Sequence, residues 1–158
     1  MFHLIPAPLH RLALRLGYRL IWNWLRIRKP ARRGASVIVE RADGKILFVR
    51  HSYGSRAWCF PGGGHKRGEE PEHCARREMR EELGRGIAKI ELVGLIEETI
   101  NGSPHASSVF AASLDGEPEP DGREIIETRF FDPAAPPDEL PYPAQQRLAL
   151  WRAYRSGN

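Results

Sequence analysis

A chain of 158 residues with 41% hydrophobic side chains holds one ordinary core, which excludes both a string of folded domains and a disordered polymer. Two cysteines, Cys59 and Cys74, supply neither a disulfide framework nor a metal-binding spacing, and they fit a reducing compartment. The net charge of +4 conceals an asymmetry: the first 39 residues carry eight basic and no acidic side chains, while the rest carries 16 basic against 20 acidic.

The basic segment forms an arm over residues 1–33, ahead of a body over residues 34–158. After the punctuation of Pro6 and Pro8, the spacing of Leu9, Leu12, Leu16, Leu20 and Trp24 predicts an amphipathic helix, with Arg11, Arg15 and Arg19 along its flank. The arginines interrupt any apolar run of the roughly 20 residues that a membrane span needs, and no signal-peptide cleavage pattern follows. Residues 9–29 are open to three placements: packing on the body or on a second subunit as a homodimer, lying on an anionic membrane surface, or, in a eukaryotic source, serving as a transit peptide. A specific nucleic-acid partner is not expected, because Leu and Trp dominate the apolar side. The location expected is cytoplasmic, with a peripheral place at the inner membrane surface as the alternative.

From Ala35 the pattern changes to strands. ASVIVE, the Asp43-Gly44 turn and KILFVRH predict a β-hairpin. Residues 57–60 read as a short strand entering the glycine run Gly62, Gly63 and Gly64, where small residues let a phosphate or metal approach the main chain. A helix follows from Pro71 to Leu83, with proline in its first turn and Gly84 at its end. Ala75, Met79 and Leu83 mark its buried face. Glu78, Glu81 and Glu82 stand at i, i+3 and i+4, which places three carboxylates on one surface, about 5–6 Å apart at Cβ. Such crowding calls for full solvation or for a hard cation of the Mg²⁺, Mn²⁺ or Ca²⁺ type. A solvated charged face paired with Arg76, Arg77 and Arg80 is the plainer reading, but it leaves the glycine run and Glu69 unexplained.

Strands are predicted at residues 87–98, 106–114 and 124–131, with a loop over residues 101–104, and a closing helix over residues 144–154 turns Leu148 and Trp151 inward. Mixed strands with a central and a terminal helix indicate α/β layers. Arg50 and Arg56 lie near the strand leading to the glycine run and suit terminal phosphates, as does His51. Trp58 and Phe60 share a strand face, where they stack a base or pack in the core.

Gly63, Glu69, Arg77, Glu78, Met79, Glu81, Glu82 and Gly84, at their spacing, resemble the Nudix box, G-x5-E-x7-R-E-U-x-E-E-x-G-U, in which U is aliphatic. Arg85 is the one departure, at the last aliphatic position. The resemblance implies an α/β/α sandwich around a mixed sheet. It also implies Mg²⁺-dependent hydrolysis, with Mn²⁺ as the substitute, of a phosphoanhydride in a nucleoside diphosphate derivative or a nucleoside triphosphate. Under it Glu78, Glu81 and Glu82 ligate metal, helped by the Gly63 carbonyl, Glu69 is an outer member, and Arg77 orients a carboxylate. The general base is a glutamate of the box or one from the later segment, where Glu124 is favoured over Glu127. The rival is a Nudix-fold module that binds a nucleotide without cutting it.

Overall fold

In a computed structural model of the protein, residues 6–28, 32–100 and 102–157 are described, without the side chains at positions 7, 19 and 22–28. Three helices and six strands follow in the order α1 (Ala7–Arg28), β1 (Arg32–Val39), β2 (Ile46–His51), β3 (Gly62–Gly64), α2 (Pro71–Leu83), β4 (Ile87–Ile100), β5 (Ser103–Leu114), β6 (Ile125–Phe131) and α3 (Tyr142–Gly157). One mixed sheet has the strand order β3-β1-β5-β4, in which β1 runs parallel to β5 and antiparallel to β3. A second sheet consists of β2 and β6 alone. β1 begins two residues ahead of the Gly34 boundary expected for the body.

The apolar runs of β1 and β2 are continuous because both faces are covered. On one side Val37, Val39, Leu47 and Val49 meet Cys74, Ala75, Met79 and Leu83 of α2. On the other, Ile38, Ile46 and Phe48 meet Leu140, Ala144, Leu148 and Trp151 from α3 and its approach. The strand period of two thus yields the expected α/β/α sandwich. Burying Met79 and Leu83 holds α2 to the sheet, at about 1.5–3 kcal/mol for each side chain. α3 is fixed further by Arg147, which bonds Glu98 at 2.6 Å and Ser36 at 2.9 Å, and by the Trp151 indole, which donates to Glu40.

Three local expectations are corrected. The Asp43-Gly44 turn forms, with Gly44 at φ 83°, but its two strands pair only at the Glu40–Ile46 bridge and then diverge into separate sheets. Residues 57–60 are irregular, joined to β2 only through the Cys59–Val49 bridge, and the strand lies instead in the glycine run itself. β5 starts at Ser103, so the expected loop shrinks to a turn at Gly102, with Asn101 outside the described residues. Of the placements open to the arm, α1 lies on the body through Arg11 and Arg15, while Leu9, Leu12, Leu16 and Leu20 are all more than half exposed. Trp24 and Lys29, also part of the expected arm, lie outside the described side chains.

Gly62 lies flat on β1 at φ 141°, where a Cβ would stand 2.1 Å from the Ala35 carbonyl oxygen. Gly62→Ala is therefore expected to destabilise the protein by about 2–4 kcal/mol, seen as a lower urea midpoint with an unchanged slope.

Candidate active site

α2 sets the site because its two faces do different work. Its apolar side is packed on β1 and β3, which fixes the rotation of the helix and so the direction of the glutamates. The helix starts on Pro71 and stops on Gly84, a left-handed residue at φ 64° whose N–H returns to the Arg80 carbonyl. Arg85 does not pack as an aliphatic residue would. Its guanidinium donates to the Glu117 carbonyl and pairs with Glu119, while Ile87 packs against the core beneath α2.

Arg77 is the hub of the acidic face. It holds Glu69 by a two-pronged contact at 2.8 and 2.9 Å, and reaches Glu78 at 2.5 Å, Glu81 at 2.9 Å and the Gly64 carbonyl at 3.0 Å. That planar fork is a geometry lysine cannot supply. The Arg77 hydrogen bonds hold the Glu69 carboxyl at about 2, well below its ordinary range, and the Lys66 N–H adds to the effect. Glu69 is thus consumed in bracing the loop. Glu81, about half exposed, also faces Lys66.

Glu82 is in a different environment. It is 3% exposed, and its carboxylate accepts one hydrogen bond, from the Gly62 N–H at 2.9 Å. Burial pushes its pKa well above the ordinary value; the Gly62 bond opposes this, and the charges of Glu78 and Glu124 push the same way as burial. Burial also raises Glu78, against the pull of Arg77. Gly63 lies so close that a Cβ there would be 2.4 Å from a Glu78 carboxylate oxygen.

Two further groups converge on Glu82 from other elements. His51 ends β2, and Glu124 immediately precedes β6. Each offers one ligand atom, and these lie with one of Glu82 within 4.8 Å of one another. Glu124 is held by the Tyr53 hydroxyl at 2.5 Å. Its sequence neighbour Glu127 pairs with Arg50 on the strand instead. His51 Nδ1 is buried and has no hydrogen-bond partner among the described residues, and burial lowers the ring's pKa against the pull of Glu124. A neutral imidazole, a buried carboxylate short of donors and a third carboxylate form a donor set that a divalent cation would complete. The residues present therefore fit such an ion. His51 and Tyr53 were not placed at this cluster by sequence reasoning; the available signal was the parity of β2, which sends Val49 and His51 to the α2 side.

The side chains assigned to substrate divide. Arg50, Arg56 and Trp58 line one cleft with Arg129, Asp138 and Glu139, and the Arg50 guanidinium sits 4.4 Å over the Trp58 ring. No glutamate of the acidic cluster lines that cleft. Phe60 is shut into the α3-side core against Phe48, at 4.5 Å between ring centroids, which leaves it a packing residue rather than a base-stacking one. A second, basic cleft opens beside the box, lined by Arg32, Arg33, His65, Lys66 and Arg67 together with Gly64 and Glu69. Burial pushes both thiols up, Cys59 to about 12 and Cys74 to about 11, which disfavours the thiolate form.

The chain is similar to curated proteins named RNA pyrophosphohydrolase. It is 36% identical over 66 residues to that of Saccharophagus degradans, covering 42% of this chain and 39% of the relative. To that of Halorhodospira halophila it is 40% identical over 63 residues, covering 40% and 34%. The matched segments thus span little more than a third of those relatives. Among solved structures, a MutT NUDIX hydrolase from Burkholderia pseudomallei superposes with a TM-score of 0.70 at 25% identity, over 76% of this chain and 97% of the other. The NUDIX domain family matches residues 30–152, a stretch that takes in every strand of both sheets. The chain belongs to the NUDIX family.

Proposed function

We propose that the protein is a divalent-metal-dependent pyrophosphohydrolase that cuts a phosphoanhydride of a nucleotide. The observation that carries this is the convergence of His51, from the end of β2, and Glu124, from the approach to β6, on Glu82 beside Glu78 of α2, where burial and the neighbouring carboxylates disfavour the charge of Glu82. Mg²⁺ or Mn²⁺ bound there would screen the charge of a pyrophosphate and lower the pKa of a bound water.

The protein's own groups have separable tasks. Glu78 and Glu82 present oxygens from one face of α2, with Gly63 leaving room beside Glu78. Arg77 fixes Glu78 and Glu81 in position and ties them to the glycine run. Glu124, steadied on one oxygen by Tyr53, would use the other either to hold the ion or to accept a proton from the attacking water, each role excluding the other. The basic cleft of Arg32, Arg33, His65, Lys66 and Arg67 suits the remaining phosphates of the substrate. The names of the RNA pyrophosphohydrolase relatives add a 5′-phosphorylated RNA end to the substrates worth testing, alongside free nucleoside triphosphates and diphosphate derivatives.

The test is product analysis by mass on that substrate panel, with Mg²⁺, with Mn²⁺ and with a chelator. Metal-dependent cleavage at a phosphoanhydride is the expected result. Tight nucleotide binding with no product under any metal would leave the non-catalytic module as the reading.

A further inference from the structure

We propose that α1 docks the protein on an anionic lipid surface through the face formed by Leu9, Leu12, Leu16 and Leu20. A surface helix ordinarily turns its apolar stripe to the core. Here the orientation is reversed. Arg11 donates two hydrogen bonds to the Gly122 carbonyl, and Arg15 donates to the Ser52 carbonyl at 3.0 Å. The Tyr18 ring lies 5.2 Å from that of Tyr53. The helix is thus bound to the body through Arg11, Arg15 and Tyr18, while the four leucines and Ile21 stay more than half exposed, Leu12 and Leu16 at the rim of a cleft shared with Gly54 and Ser55.

Two occupants could cover such a stripe: a second copy of this helix or a bilayer. Charge separates them. Residues 9–29 carry six basic and no acidic side chains, and Arg11 and Arg15 bond only neutral carbonyls of the body, so two arms laid together would set like charges against each other with nothing in the arm to neutralise them. An anionic headgroup layer supplies the missing counter-charge and accepts leucines to the acyl boundary. The rest of the chain is net acidic, so the same surface would repel it and leave the arm as the contact. Among the described residues no helix is long and apolar enough to cross a membrane, which agrees with a helix lying in the interface.

The test is co-sedimentation of the full chain with phosphatidylcholine vesicles, with and without phosphatidylglycerol, for the wild type and for L9E/L20E. Leu9 and Leu20 are the most exposed of the four, at 63% and 72%, so the variant should fold, and its circular dichroism and nucleotide hydrolysis should match the wild type. The expected result is binding that requires phosphatidylglycerol, weakens as salt is added, and falls at least about tenfold in the variant. Equal sedimentation of wild type and variant would overturn the proposal, as would a leucine-dependent dimer in light scattering without vesicle binding. The readout is independent of hydrolysis, so a protein that proves inactive could still bind vesicles, and an active one could fail to.

Discussion

Glu82→Gln is expected to lower metal-dependent hydrolysis by at least about 100-fold, because loss of a group that merely supports a metal ligand costs roughly 10–100-fold and Glu82 is placed as a ligand itself. The shape hardly changes. Glutamine can still accept from the Gly62 N–H, so the helix and the glycine run should keep their geometry, and the loss should report charge alone. A second consequence has the opposite sign. Without metal, wild-type Glu82 is buried near Glu78 and Glu124, and burial favours its neutral form. A carboxyl whose pKa is raised by folding costs stability as pH rises through the window between its unfolded and its folded value. In a chelator at neutral pH the glutamine variant is therefore expected to be more stable than the wild type. Saturating Mg²⁺ should reverse the order by stabilising only the wild type. Thermal melts of both proteins with and without metal check this; a variant that is less stable in chelator would show that Glu82 is held by something other than a cation.

Arg77→Lys is the second large effect, expected at about 10–100-fold in activity. The lysine keeps the charge but reaches one carboxylate at a time, whereas Arg77 spans Glu69, Glu78, Glu81 and the Gly64 carbonyl at once. Released from that brace, Glu78 moves relative to Glu82, so the metal concentration for half-maximal activity should rise along with the loss of rate. The Arg77–Glu69 pair also predicts a pH signature. A carboxyl held down to about 2 contributes stability that is present above its unfolded value and lost as pH falls through about 2. The variant should lose that contribution, and its acid unfolding should begin at higher pH. An unchanged metal requirement and acid profile would reduce Arg77 to a surface charge.

The site was legible where chemistry is written in consecutive residues. Helix α2, its caps and the direction of its glutamates follow from spacing alone, as does the division of the body into strands and a closing helix. What the sequence concealed depends on distant parts of the chain. His51 is an ordinary strand-end histidine until β6 brings Glu124 against it, 73 residues later, and Tyr53 has no visible task until it meets that carboxylate. The glycine run reads as a loop because glycine has low strand propensity, yet the same lack of side chains lets it pair flat against β1. Alternation leaves Phe60 as either a base platform or a core residue, and the position of α3 decides for the core. The arm shows the limit of periodicity most clearly: spacing identified an apolar stripe but could not say which way it faced.

The sheet order has a bearing on how the chain reaches this structure. β1 lies between β3 and β5, and its parallel partner begins only at Ser103; β2 waits for β6, which begins at Ile125. Among the described strands only β4 and β5 are neighbours both in sequence and in the sheet, paired as far as Ile100 and Ser103. During synthesis the first two strands would leave the ribosome well before their partners exist, carrying the most continuous apolar runs in the body. The β4–β5 hairpin is the local unit on which they can later assemble, and until then Val37 to Val39 and Ile46 to Val49 are the segments most exposed to misassociation.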